Sequence, residues 1–335
     1  MVAWDPAPVR LAFARSGQTA EPVSESGFLV GVNLPWLAYG GDFGANAWHP
    51  QGGLARPEVT SRARDVLRAL RDGGASSVRW FLLCDGRAGL RFDAEGAVLG
   101  VDDRLFPDLD AALALLDDTG LAAMFVLVDF LWFSPRQVVN GVPLGGRTRL
   151  LAEPDARARF LDTVAGPVFD HCGNHPAIAA WEVINEPEWA ITRLPFLRRG
   201  RVSRATMREL IGEVAALVHE RTRKKVTVGC AYAAGLPLVA DLGLDFYQVH
   251  WYDHLPKPFD VETHVAVLGV DRPVLLGEFP TSGATRTGTA IVEAARSSGY
   301  AGAFAWSALG EDTASDRTAL EAVLRSGRDR NGHRS

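Results

Sequence analysis

The chain has 335 residues, of which 47% are hydrophobic and 22% charged, and this composition excludes a disordered, collagen-like or disulfide-stapled protein. The formal net charge is −5 and is mixed along the chain, which argues against a nucleic-acid partner because such proteins usually carry a basic face. The three cysteines, Cys84, Cys172 and Cys230, are too widely spaced for a disulfide framework or a zinc site. They are expected to be buried, inert thiols.

The N-terminal segment lacks a basic start followed by an unbroken apolar core, so no signal peptide is visible. Asp5, Pro8 and Arg10 are among the residues that interrupt any such run. No apolar stretch reaches membrane-spanning length, so no membrane partner is expected. A cytoplasmic protein is therefore the expectation, and the sequence leaves the oligomeric state open.

Short apolar β-rich runs alternate with amphipathic segments along the chain, which is typical of βα units around a parallel sheet. The predicted strands are Phe28–Pro35, Ser77–Cys84, Ala122–Asp129, Ile178–Asn185, Lys225–Cys230, Asp245–Tyr252, Val274–Phe279 and Gly302–Ala308. The predicted helices are Glu58–Asp72, Pro107–Thr119, Pro154–His171, Ser203–Thr222, Leu236–Asp241, Val261–Leu268, Thr287–Ser298 and Asp316–Arg325. Eight such pairs predict an α/β protein with a single-domain (β/α)8 TIM barrel.

The barrel is predicted over residues 28–326, with an N-terminal extension at 1–27 and a C-terminal tail at 327–335. A doubly wound open sheet is the alternative, and it would normally show a glycine-rich phosphate loop after its first strand. The chain reads LPWLAYGGDFG there, which lacks that spacing. The long segment at 34–50 is either one wall of a substrate site or a lid without contacts.

A TIM barrel carries its chemistry at the C-terminal ends of its strands. The fourth strand ends in W-E-V-I-N-E-P and the seventh in L-L-G-E-F-P, which places Glu186 and Glu278 at the mouth, across the pore from each other. Two facing carboxylates suit glycosidic bond cleavage, because one protonates the leaving group while the other attacks or stabilises the anomeric carbon. Different surroundings can drive the two pKa values apart.

The run N-H-P-A-I-A-A-W-E-V-I-N-E-P at Asn174–Pro187 resembles the strand-four signature of clan A retaining glycoside hydrolases. The likeness is strongest to family five, which holds cellulases and β-mannanases. It implies that Glu186 is the general acid/base, that Asn185 binds the sugar 2-hydroxyl and that Glu278 is the nucleophile. Glu186 should then have a raised pKa, so that it holds a proton near neutrality.

Other strand ends agree with this resemblance. V-H-W-Y on the sixth strand is similar to the family's His-x-Tyr and gives His250 and Tyr252. Trp306 on the eighth strand resembles the sugar-platform tryptophan, and Arg79 on the second resembles the arginine near the nucleophile. These four residues are substrate-binding candidates.

Three further residues, Asn33, Trp132 and Trp189, complete the predicted substrate-binding set. Trp132 and Trp189 each lie in a loop beyond a strand end. The third strand departs from the family, because it ends in D-F-L-W (Asp129 to Trp132) where Asp-Trp-His is often found.

Side chains alternate along a strand, so Asn185 and Glu186 can both reach the pocket only if the fourth strand ends or bulges there. The same alternation places Glu182 inside the barrel, where a buried carboxylate needs a partner. Arg79 is one possible partner.

The sequence therefore predicts a retaining β-glycoside hydrolase that cleaves gluco- or manno-configured oligosaccharides or glycoconjugates by double displacement. A carbohydrate is the expected partner, and neither a cofactor nor a metal is expected. One alternative is a transglycosylase that uses the same covalent intermediate. The other is a catalytically silent carbohydrate-binding barrel.

Overall fold

The computed structural model describes residues 27–192, 201–254 and 259–332. The strands among them are, in chain order, β1 (Leu29–Leu34), β2 (Ser77–Phe81), β3 (Leu90–Phe92), β4 (Val98–Val101), β5 (Ala122–Asp129), β6 (Gln137–Val139), β7 (Val142–Leu144), β8 (Ile178–Asn185), β9 (Lys225–Cys230), β10 (Tyr247–His250), β11 (Val274–Pro280) and β12 (Gly302–Trp306). β1, β2, β5, β8, β9, β10, β11 and β12 form a closed parallel barrel. The predicted TIM barrel is confirmed, and three of its strands, β5, β8 and β9, have the predicted bounds.

The helices of the described part are α1 (Pro57–Gly73), α2 (Leu105–Thr119), α3 (Thr148–Ala152), α4 (Pro154–Phe160), α5 (Gly166–Cys172), α6 (Arg204–Arg221), α7 (Leu236–Val239), α8 (Gly288–Ser297) and α9 (Arg317–Gly332). They surround the barrel and cover strands whose side chains are buried almost throughout. Within the described ranges, no helix combines the length and apolarity that crossing a bilayer requires.

Two predicted helices differ from those in the structure. The helix predicted at Val261–Leu268 is only a 3-10 turn at Val265–Leu268, which ends at Gly269 with a φ of +66°. Its β-branched residues and short length make the helix nucleus too costly. The helix predicted at Pro154–His171 is continuous but contains a π-helical turn at Leu161–Ala165 between α4 and α5.

Two short hairpins, β3–β4 and β6–β7, were not predicted, since their strands have only three or four residues. The second turns at Asn140 and Gly141, with φ angles of +46° and +83°, and an Asn-Gly pair with two positive φ angles is the usual signal for such a turn.

The structure describes part of the predicted C-terminal tail but almost none of the predicted N-terminal extension. Residues 1–26 and 333–335 lie outside the described residues. At the other end α9 runs past the predicted end at Arg325 to Gly332, and Gly327 lies against Val30 of the first barrel strand.

Buried carboxylates hold the loop between β1 and α1. Asp108 of α2 accepts hydrogen bonds from three backbone N–H groups of this loop at 2.7–2.9 Å. Asp42, within the loop, accepts two more at 2.7 and 2.8 Å and a third from the Trp80 indole at 2.9 Å. Of the two sequence-based alternatives, the lid without contacts is therefore wrong, because the loop is fastened to the barrel.

Candidate active site

A pocket of about 320 Å³ opens at the C-terminal ends of the barrel strands. Its lining includes side chains at or near the ends of six different barrel strands. Those that carry polar chemistry are Asp129, Asn185, Glu186, Tyr252 and Glu278. The barrel order brings them together although they are spread over half of the sequence.

The two predicted catalytic glutamates meet at His250. One carboxylate oxygen of Glu186, one of Glu278 and a ring nitrogen of His250 all lie within 4.8 Å of one another. His250 Nδ1 donates to Glu186 Oε1 at 2.8 Å and lies 3.6 Å from Glu278 Oε2. The same three atoms are close enough to ligate one cation. The expectation that the site takes no metal therefore stays a prediction.

Glu186 reaches the pocket because the fourth barrel strand, β8, ends irregularly. The register between β8 and β9 shifts between Glu182 and Asn185. Glu186 then has a left-handed backbone, φ +47° and ψ 53°, which is uncommon outside glycine. Its N–H donates to the Gly229 carbonyl at 2.7 Å. The alternation of side chains along β8 required such an irregularity, which lets Asn185 and Glu186 both line the pocket.

Arg79 connects the barrel interior to the pocket floor. Its guanidinium donates to Glu182 at 2.6 and 2.7 Å and to Glu278 Oε1 at 2.6 Å. Arg79 and Glu182 are both fully buried. The pairing expected for Glu182 is confirmed, and the same arginine supports Glu278 from beneath the pocket.

The electrostatics of the three central groups are coupled. Burial raises the pKa of Glu278, and His250, Arg79 and the Tyr252 hydroxyl at 2.9 Å act against that rise. Burial lowers the pKa of His250, but the charges of Glu278 and Glu186 outweigh burial and raise it overall.

Glu186 differs from the expectation of a raised pKa. Burial raises the pKa of Glu186, but the hydrogen bonds from His250 and Trp189 and the charges of His250 and Arg79 together outweigh burial, and the pKa is lowered. The proton expected on Glu186 is therefore held on the imidazole side of the Glu186–His250 hydrogen bond. Because the pair shares that proton, its titration belongs to both residues.

Asn185 is fixed from two sides. Its side-chain oxygen accepts from Arg79 at 2.8 Å, and its amide N–H donates to Asp129 Oδ2 at 2.7 Å. Burial raises the pKa of Asp129 to about 7. The sequence marks Asp129 only as part of an unusual strand end, whereas the structure pairs it with Asn185 in the β5–β8 register and places it in the pocket lining.

Four of the predicted substrate-binding residues lie beneath the surface, and one of them is His250, whose fully buried side chain bonds to Glu186 and does not line the pocket. Asn33 is fully buried, accepts from Arg79 at 2.9 Å and donates to the Gly277 carbonyl at 3.0 Å, so its polar atoms hold the barrel together. Arg79 is equally buried and contacts Glu278 instead of the pocket. Trp132 is fully buried as well and packs edge-on against Phe160 at 5.6 Å. The predicted contact of these four side chains with substrate is therefore corrected, whereas the expected place of Arg79 beside Glu278 is confirmed.

The Trp132 correction has a local cause. Residues Phe130–Phe133 form a 3-10 turn, capped by Asp129, that turns Trp132 inward. Phe130 and Leu131 line the pocket in its place.

Three predicted aromatic residues do line the pocket, each with its polar atom bound to a carboxylate. Trp189 Nε1 donates to Glu186 Oε2 at 2.8 Å, and the Tyr252 hydroxyl donates to Glu278 Oε2. Trp306 Nε1 donates to Asp312 Oδ2 at 2.7 Å. Their binding of substrate stays a prediction.

Two glycines make room for the polar cluster under the pocket. A Cβ atom at Gly229 would lie 2.6 Å from Glu182 Oε1 and 3.0 Å from His250 Nε2. One at Gly277 would lie 2.8 Å from Gln248 Oε1. Larger residues at either position would displace these side chains, a role that the sequence did not reveal.

Other pocket residues were also missed. Phe81, Cys84 and His254 line the pocket. Trp36 lines it as well, in agreement with the expectation that the 34–50 segment forms one wall. Cys84 follows the second barrel strand with a φ of +44°. Burial raises the pKa of its thiol well above the usual range, in agreement with an inert cysteine.

Comparison with known proteins gives the same fold and chemistry. The chain is 26% identical over 322 residues to a mannan endo-1,4-beta-mannosidase of Mytilus edulis, covering 84% of this chain and 83% of that protein. It is 24% identical to a mannan endo-1,4-beta-mannosidase of Cryptopygus antarcticus, with 83% and 80% covered. The crystal structure of an endo-1,4-beta-mannanase from Eisenia fetida superposes with a TM-score of 0.74 at 22% identity, covering 89% and 90% of the two chains.

No family model matches the chain. The assignment therefore follows from the relatives, the closed barrel and the strand-end residues taken together. This chain is therefore a glycoside hydrolase that resembles clan A enzymes, most of all those of family five.

Proposed function

We propose that the protein is a retaining endo-β-1,4-mannanase in which Glu278 is the nucleophile and Glu186 the general acid/base. The observation that carries the proposal is the approach of Glu186, Glu278 and His250 within 4.8 Å. Retaining enzymes place their two carboxyl groups about 5–5.5 Å apart, whereas inverting enzymes leave about 6.5–9.5 Å for a water molecule. A gap this short favours direct attack by a carboxylate.

Glu278 has the surroundings of a nucleophile. Arg79 at 2.6 Å and Tyr252 at 2.9 Å each bind one of its oxygens, which stabilises the ionised form and fixes the carboxylate plane. In the first step a Glu278 oxygen forms a bond to the anomeric carbon while the glycosidic bond breaks.

Glu186 has the surroundings of a proton carrier. The proton held by His250 passes to Glu186 across their 2.8 Å hydrogen bond and from Glu186 to the departing oxygen, which leaves Glu186 as a carboxylate for the second step. In the second step Glu186 takes a proton from water, the water oxygen bonds to the anomeric carbon, and Glu278 departs as a carboxylate.

The manno-configured substrate is inferred from the relatives, which are named as mannan endo-1,4-beta-mannosidases. The pocket supports a sugar ligand, since Trp36, Trp189 and Trp306 surround it and C–H faces of pyranoses pack on aromatic rings.

The test is hydrolysis of soluble β-1,4-mannan and of mannotetraose, with β-1,4-glucan as the contrasting substrate. Proton NMR should show the β anomer as the first product, and a 2-deoxy-2-fluoro mannosyl fluoride should label the peptide that contains Glu278. E278A and E186A variants should each lose most of the mannanase activity, by about 100-fold or more. An α anomer as first product, or label on another peptide, would refute the assignment.

A further inference from the structure

A second buried carboxyl group, Glu188, lies two residues beyond Glu186. Its exposure is 9%, and its Oε2 accepts a hydrogen bond from the Ala231 N–H at 3.1 Å. Its Oε1 is also buried. The mechanism described above makes no use of this group.

Glu188 belongs to the turn that carries the acid/base. The turn Pro187–Ala190 follows Glu186 directly and contains Trp189, which donates to Glu186 Oε2 at 2.8 Å. Two hydrogen bonds fasten this segment to the end of β9: the Glu186 N–H to the Gly229 carbonyl at 2.7 Å, and the Ala231 N–H to Glu188. The first holds the backbone of Glu186, and the second holds the turn behind it.

A glycine makes room for the Glu188 carboxyl. A Cβ atom at Gly235 would lie 1.7 Å from Glu188 Oε1, a distance no side chain can occupy. The titratable groups facing Glu188 are Glu186, His250 and the fully buried Cys230 thiol. Burial raises the pKa of Glu188 to about 7, so the group is largely neutral in mildly acidic solution.

We propose that Glu188 is a positioning residue for the general acid, which ties the Glu186–Trp189 turn to the end of β9 and thereby aims the Glu186 carboxyl at the leaving-group oxygen. This inference rests on the proposed function of Glu186. Loss of the tie should impair proton donation while leaving attack by Glu278 intact, because Arg79 and Tyr252 hold Glu278 independently.

Substrates with different leaving groups distinguish a loss of proton donation by Glu186 from a loss of attack by Glu278. Mannotetraose needs protonation of its departing oxygen, whereas dinitrophenolate departs without it. Glu188→Met keeps the buried volume but removes the oxygen that accepts the hydrogen bond from the Ala231 N–H. Glu188→Gln keeps an accepting oxygen. Gly235→Ala leaves Glu188 in the chain but displaces its carboxyl group. Gly212→Ala is the control, since a Cβ atom there would meet only Leu242, at 3.9 Å.

At pH 6, kcat/KM for mannotetraose should fall about 10-fold or more in Glu188→Met and Gly235→Ala, while kcat/KM for 2,4-dinitrophenyl β-mannobioside falls less than about 3-fold. Glu188→Gln and the control should stay within about 3-fold of the parent on both substrates. Circular dichroism and the melting temperature establish that each variant is folded.

Equal losses on the two substrates, or a Glu188→Met variant as active as the parent on mannotetraose, would overturn the role of Glu188 alone. If Glu188→Met does not fold, Gly235→Ala decides by the same comparison. A parent protein that cleaves neither substrate would instead contradict the proposed function.

Discussion

Replacement of Arg79 by Met removes the only cation that contacts both Glu182 and Glu278 among the described residues. The guanidinium makes five hydrogen bonds of 2.6–2.9 Å to four side chains, with no exposure to solvent. Met fills similar space but leaves Glu182 as an uncompensated charge inside the barrel.

Breaking a buried ion pair from one side costs about 3–5 kcal/mol of unfolding free energy. For a chain of 335 residues, the unfolding entropy near the midpoint is about 0.7 kcal/mol per kelvin, so a 4 kcal/mol loss lowers the melting temperature by about 6 °C. Activity should fall more steeply, because Glu278 also loses the partner at 2.6 Å that keeps it ionised.

The assay is guanidinium unfolding followed by circular dichroism, for Arg79→Met, Glu182→Met and the double variant. The loss of unfolding free energy in the double variant should be about 1–3 kcal/mol smaller than the sum of the two single losses, because the double variant contains no unpaired Glu182 charge. A single-variant loss below about 1 kcal/mol, or strictly additive losses, would show that this ion pair does not hold the barrel interior together.

Three further changes test the site. Tyr252→Phe removes the hydroxyl that donates to Glu278 at 2.9 Å, and kcat/KM should fall about 10-fold or more; an unchanged value would exclude this bond from catalysis. Asp312→Ala frees the Trp306 indole, so KM should rise about 3-fold or more with kcat little changed, whereas a loss in kcat alone would contradict a platform role. Folding raises the pKa of Glu188 from 4.5 to about 7, so the parent protein becomes less stable as the pH rises through this window. Glu188→Gln cannot ionise, so between pH 5 and pH 8 its unfolding free energy should rise relative to that of the parent by at most about 3 kcal/mol. Melting temperatures at the two pH values measure this gain, and a constant difference would argue against the raised pKa.

The strands and the catalytic pair were predictable because they depend on local pattern and on one topological rule. Apolar runs gave β5, β8 and β9 with their correct bounds, and the barrel order then brought Glu186 and Glu278 to the same pocket. The alternation of side chains along β8 was sufficient to place Glu182 inside and to require an irregular strand end.

Side-chain direction in loops was not predictable. Trp132 lies beyond a strand end in sequence, yet a 3-10 turn buries it. Asn33 lies near the C-terminal end of β1, but its side chain is hydrogen-bonded by Arg79 of β2. The pKa of Glu186 depends on His250, 64 residues away, and no local pattern reveals which of them holds the shared proton.

The carboxylates that fasten the β1–α1 loop have a consequence for how a polysaccharide enters the cleft. Because Asp42 and Asp108 already fix the backbone of this wall, little conformational entropy is left to lose when a sugar chain settles against it. The bound and free shapes of the wall should therefore coincide. Docking of a long polymer would then proceed without a gating step, and catalytic turnover would be set by bond cleavage or product departure.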